Sequence, residues 1–247
     1  MMHFNLMKSP AIVFRAIAAA FALLSLSSCV VTYQFAPIEA WVVDAETGKP
    51  IEGAVVTANW ELVKGSFDGP RYYGQLEVKE AITDANGRFA FDGFSKEDSS
   101  GAELRGSDPQ ILIFKAGHKF ERFTNDYHDG GAGMTRMYRT AAVNGKTVRL
   151  ARLRTSDDEI GPHGSLHGRL EFVTKIMPGK SETAKCYWQN IPRMIRETRI
   201  HELQTKRNGV LRSSIYDDLI RNSDQYTANS KVKCNSPSAL FAGIESK

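Results

Sequence analysis

Between Ile38 and Leu153 apolar residues recur at every second position in short runs, and clusters of turn formers break the runs. A two-residue period sends alternate side chains to opposite faces of a strand, so this stretch has to build sheets with one buried face. Ile38, Ala40 and Val42 alternate with Glu39, Trp41 and Val43. Asp44-Ala45-Glu46-Thr47-Gly48-Lys49-Pro50 follows as a turn. Ala54-Val55-Val56-Thr57-Ala58-Asn59-Trp60 is rich in β-branched residues and predicts the next strand. Leu76, Val78 and Ile82 are expected to share one face of a further strand. Asp84-Ala85-Asn86-Gly87 is a tight turn in which Gly87 or Asn86 takes positive φ. Phe89 and Phe91 then point one way, and Ile111-Leu112-Ile113-Phe114 reads as a central strand. Gly117-His118 turns the chain towards Phe120 and Phe123, and Val148, Leu150 and Leu153 form the last strand. About seven short strands separated by turns predict a mainly β protein, a β-sandwich over residues 38–153.

Three separated pieces of this region occur in a recognisable order. They are Val42-Val43-Asp44-Ala45-Glu46-Thr47-Gly48-Lys49-Pro50-Ile51-Glu52-Gly53-Ala54-Val55-Val56, Thr83-Asp84-Ala85-Asn86-Gly87-Arg88-Phe89-Ala90-Phe91, and Leu112-Ile113-Phe114-Lys115-Ala116-Gly117-His118. Together they resemble the carboxypeptidase regulatory-like domain, with His118 where that family usually has an aromatic residue. The resemblance spans residues 38–123 and the strand near 148–153. It implies a transthyretin-like sandwich and a non-catalytic module that accompanies enzymes or receptors. Two insertions decorate it, Ser95 to Gln110 and Thr124 to Gly145. The second carries Tyr127, Met134, Met137 and Tyr138, which are candidate binding residues, or else filler beneath a loop folded over a sheet edge.

Ahead of the strands lies a different kind of segment. Lys8 and Arg15 supply positive charge, no acidic residue precedes Cys29, and an apolar run from Ala16 to Leu24 is shorter than the ~20 residues a membrane span needs. This layout predicts a signal peptide over residues 1–28, with Met7 as an alternative start to Met1. Its end, Leu26-Ser27-Ser28-Cys29, resembles the bacterial lipobox. The resemblance implies cleavage before Cys29 and about three acyl chains on it, palmitate among them, where two already anchor firmly. Val30 follows where an Asp would favour inner-membrane retention in enteric bacteria, which points to the outer membrane. Residues 29–37 are then expected to be a short tether. Cys186 and Cys234 remain as an even pair in an oxidising compartment and predict a disulfide, the alternative being two buried free thiols.

Past the sandwich, residues 154–180 read as a linker with one strand near Leu170-Glu171-Phe172-Val173, and residues 181–247 as a small α-helical region. Ser181 is placed to cap a first helix. Pro192 suits the first turn of a second, which ends at Asn208-Gly209. Leu211, Ile215 and Leu219 share one face of a third. The chain without its signal is close to neutral, but its halves differ: residues 29–150 carry −3 and residues 151–247 carry +5. The compartment makes nucleic acid an improbable partner.

Candidate chemistry is sparse. His163, His167 and Glu171 have the spacing of one helix face, yet Gly161, Pro162, Gly164 and Gly168 among them argue against a helix and so against a metal site. No nucleophile elbow, zinc-protease motif or phosphate loop is present. No cofactor and no catalytic residue is expected. The reading is a non-enzymatic, lipid-anchored envelope protein on the periplasmic face, acting as a docking or inhibitory module for an unknown envelope protein. The alternatives are a glycan- or peptidoglycan-binding module, in which Trp41, Trp60, Trp188 and Tyr72-Tyr73 stack on sugar rings, and a metal-dependent hydrolase built on His163 and His167.

Overall fold

A computed structural model describes residues 30–125, 138–139, 141–154, 165–170, 187–206, 215–221 and 235–242. The protein is mainly β: a β-sandwich with a small helical region packed on one side. Eleven strands occur among the described residues, more than the expected seven. They are β1 (Val31–Phe35), β2 (Ile38–Asp44), β3 (Val55–Lys64), β4 (Arg71–Ile82), β5 (Arg88–Phe91), β6 (Phe94–Asp98), β7 (Glu103–Leu104), β8 (Gln110–Phe114), β9 (Glu121–Phe123), β10 (Tyr138–Arg139) and β11 (Thr147–Leu150).

Two three-stranded sheets, β10-β1-β6 and β11-β2-β5, face a larger sheet ordered β4-β3-β8-β9, with β7 added on β3. The main core lies between them. Ile38, Ala40 and Val42 of β2, Phe89 and Phe91 of β5, and Val148 and Leu150 of β11 meet Val56, Ala58, Trp60, Ile111 and Ile113 of the large sheet. The period-two pattern is realised as read, since β2 alternates buried and half-buried residues along its whole length. Phe35, Trp60 and Phe94 form an aromatic cluster at one end, with ring centroids 4.5 to 5.3 Å apart.

Four expectations are corrected here. Residues 31–35, expected as tether, form β1, because Tyr33 and Phe35 bury in the core and the backbone pairs with β6 and β10. The insertion from Ser95 to Gln110, expected as loop, holds most of β6 and all of β7. Leu76, Val78 and Ile82 do not share a face. Between β3 and β4 the register passes from Trp60↔Glu77 to Glu61↔Gln75, so Leu76 is an extra, bulged residue. It turns into the main core, Val78 faces the opposite side, and Ile82 is exposed at the strand end. Finally, Leu166–Leu170 is a short helix (α1) despite Gly168, so His167 is helical, and Leu170 ends this helix instead of opening a strand.

The outer face of the large sheet is covered by the C-terminal region. A 3₁₀ turn (Tyr187–Asn190) leads into α2 (Pro192–Lys206), with Pro192 in the first turn as expected, followed by α3 (Ile215–Arg221) and α4 (Pro237–Leu240). Leu170, Trp188, Ile191, Met194, Ile195, Ile215, Leu219 and Phe241 pack with Val55, Val78, Leu112, Phe114 and Phe120 in a second core. Strand β8 lacks a polar face because both of its sides are covered. Ile111 and Ile113 join the main core, Leu112 and Phe114 join the second, and the run is apolar throughout.

Side-chain bonds fix this docking. Glu80 of β4 accepts from the backbone N–H groups of Arg193 and Met194 in the first turn of α2, at 3.2 and 2.7 Å. A carboxylate there satisfies donors that have no partner within the helix. Burial pushes the Glu80 carboxyl above the usual range, against the pull of those two amides. Glu197 of α2 accepts from the Ala116 amide at 2.9 Å, and the His201 ring stands edge-on to Phe114 with centroids 5.3 Å apart. No helix among the described residues is long and apolar enough to cross a membrane.

Candidate functional site

The three separated sequence pieces quoted above meet in space and lock one another. Asp44 ends β2 with its side chain folded back: the Glu46 and Thr47 amides and the Thr47 hydroxyl donate to Oδ1 at 3.0, 2.8 and 3.0 Å. Arg152, just past β11, donates to Oδ2 at 2.8 Å, and His118 Nε2 lies 3.8 Å from the same oxygen. The Arg152 hydrogen bond, then the Thr47 amide, holds the Asp44 carboxyl well below the usual carboxylate range. Thr83 is buried; its hydroxyl donates to the Ile51 carbonyl at 2.6 Å and accepts from the Ala54 amide at 2.8 Å. Gly87, at φ +72°, lies so close to β2 that a Cβ there would sit 2.3 Å from the Val42 carbonyl oxygen. These residues hold the fold together, and His118 belongs to this clip.

A second polar group occupies the outer face of the large sheet beside the helical cover. Along β3, Thr57, Asn59 and Glu61 point to that face, because Val56, Ala58 and Trp60 point to the main core. Thr57, Asn59, Gln75 and Asp108 are all buried. Glu61 accepts from Arg105 and from Gln110 at 3.0 Å each, and Arg122 donates to Gln110 at 3.2 Å. Asp108 accepts from the Glu61 amide at 2.5 Å. Tyr187, from the helical side, bonds both backbone groups of Gln75, accepting from its amide at 3.3 Å and donating to its carbonyl at 2.8 Å. Among the described residues, the buried Asn59 side-chain carbonyl oxygen and Gln75 side-chain amide have no hydrogen-bond partner. Burial first, and the nearby Arg169 second, lower the Arg122 guanidinium below its usual range. The seam gathers amides, carboxylates and guanidiniums, groups that bind and orient polar partners. The sequence predicts a strand here from its β-branched content and does not single out these polar residues, since polar alternation ordinarily means a solvent-facing side.

The other predicted residues divide as follows. Cys29, Cys186, Cys234, Tyr127, Met134, Met137, His163 and Glu171 lie outside the described residues. Tyr138 stands on β10, paired in parallel with Gln34 of β1. His167 is 3.8 Å from the Asp218 carboxylate of α3. Among the described residues no group of three or more His, Cys, Asp and Glu is placed to hold a metal ion. Trp60 and Trp188 are almost wholly buried, one in each core, and Trp41, Tyr72 and Tyr73 are half-buried. The aromatic residues are therefore not brought onto one exposed face.

No family profile and no curated protein matches this sequence. Among solved structures the chain is similar to a streptococcal ancillary pilin, at 14% identity over 49% of this chain and 30% of that one, TM-score 0.24. It is similar to an intradiol ring-cleavage dioxygenase from Tetranychus urticae, at 13% identity over 54% and 87%, TM-score 0.26. It is also similar to a 9R-lipoxygenase from Cyanothece, at 12% identity over 90% and 33%, TM-score 0.22. The chain spans about a third of the pilin and lipoxygenase chains. Likenesses at these scores carry no argument about what the protein does.

Proposed function

We propose that this chain is a non-enzymatic lipoprotein of the bacterial envelope, anchored through Cys29, whose carboxypeptidase regulatory-like sandwich docks or inhibits a protein partner at the membrane surface. One observation carries the reading. The lipobox-like Leu26-Ser27-Ser28-Cys29 ends one residue before Val30, and β1 begins at Val31. An acylated Cys29 would thus hold the sandwich directly against the bilayer, with no slack for distant targets. The buried polar clips around Asp44 and Thr83 support a scaffold role for the matching motifs.

The test is in-cell crosslinking of the tagged wild-type protein beside Cys29→Ala, with recovery of bound material. The expected result is one defined envelope protein, crosslinked to the anchored form and absent from the variant. Retention on peptidoglycan with no crosslinked protein would replace this reading with the glycan-binding one. Equal membrane retention of Cys29→Ala and wild type would overturn the anchor.

A further inference from the structure

The hairpin that joins β3 to β4 ends in Lys64-Gly65-Ser66-Phe67-Asp68-Gly69-Pro70-Arg71. Phe67 at its tip is fully exposed. The turn holds it there: the Gly69 amide donates to the Ser66 carbonyl at 3.0 Å, and Asp68 accepts from the Ser66 hydroxyl at 2.8 Å and from Arg71 Nε at 3.1 Å. An exposed phenyl ring on a braced turn has no role in either core.

Topology places this tip beside the start of β1. Phe35 packs on Trp60, with centroids 5.3 Å apart. Two residues earlier, the Tyr33 hydroxyl donates to the Ala102 carbonyl at 3.4 Å, and the next residue, Glu103, pairs with Val63. Moving back along β1 therefore means moving forward along β3, and Val31 lies level with the end of β3 and the hairpin loop. Val30, half exposed, leaves the sandwich at the same end as Phe67. Ile82, another exposed apolar residue, lies at the far end of β4.

We infer that the β3–β4 hairpin tip is a second membrane contact, with Phe67 inserting among lipid headgroups on the side where the N-terminus meets the bilayer. Within the loop the Arg71 pairing neutralises Asp68, so no uncompensated acid stands beside Phe67. The occupant is a lipid bilayer, and the inference rests on the anchored reading above.

The experiment uses the full-length membrane-extracted protein carrying Phe67→Trp, reconstituted into phosphatidylethanolamine–phosphatidylglycerol vesicles with or without brominated acyl chains. Wild type supplies the background of the three native tryptophans. The expected result is an added emission component, blue-shifted from water-exposed indole and quenched at least twofold by the brominated lipid. Emission at position 67 that stays water-like and unquenched overturns the contact. The mass of the N-terminal peptide separates the two readings: acylated Cys29 with an unquenched Trp at 67 removes the hairpin contact alone, and an unacylated Cys29 removes the anchor and this inference together.

Discussion

The Asp44 carboxylate accepts from two backbone amides, a hydroxyl and a guanidinium, and all of these interactions are stronger with the charged form. Its folded-state value lies below the unfolded one of ~3.9. A depressed carboxylate stabilises the fold above the unfolded value, and the contribution is lost as the pH falls through the folded one. Asp44→Asn is therefore expected to melt at a lower temperature than wild type at neutral pH, with the gap narrowing on acidification. Thermal melts across the acid range check this; a gap that holds constant would show that shape, not charge, is what Asp44 supplies. The motif residues were legible in the sequence as turn formers, but the Arg152 partner was not. It stands more than a hundred positions away, at a distance no local pattern encodes.

At the scale of elements, Gly87 is the tightest point. Its φ of +72° and the Val42 carbonyl facing it leave no room for a side chain. Gly87→Ala is expected to lose about 2 kcal/mol or more, combining the left-handed conformation with a backbone contact that has to open. Denaturant unfolding measures the loss, and an effect below a few tenths would contradict the packing described. Strands β2, β5 and β11 were legible from periodicity because each turns one face to the main core; β1, β6 and β7 were not. Register did not follow. The bulge at Leu76 leaves no mark in the pattern of β4, yet it sends Leu76 and Val78 to different cores. The outer row of buried Thr57 and Asn59 and half-buried Glu61 was equally silent, since polar side chains read alike whether water or a helical layer lies over them.

Across the whole molecule, the helical region and the sandwich share one apolar cluster, centred on Trp188, Phe114 and Leu170. Asn235 donates to Gln189 at 3.0 Å, and Phe241 lies 6.0 Å from Trp188, so the residues following Cys186 and Cys234 in the chain run side by side. A bond between those cysteines would close a long loop, worth about 4 kcal/mol on chain-entropy grounds. Alkylation of the unfolded, unreduced full-length protein is expected to find neither Cys186 nor Cys234 free. Labelling of both would leave them as thiols. That the helical region would lie on the sheet was beyond the sequence: an apolar helix face specifies that something covers it, not which surface does.

The placement of β1 has a mechanical side. It pairs with β6 along five residues and with β10 on its other edge. A pull applied at residue 30 acts along the strand, loading the whole ladder in shear instead of peeling it bond by bond. The chain end is thus gripped along its length, by a strand whose last residue, Phe35, packs in the aromatic cluster with Trp60 and Phe94.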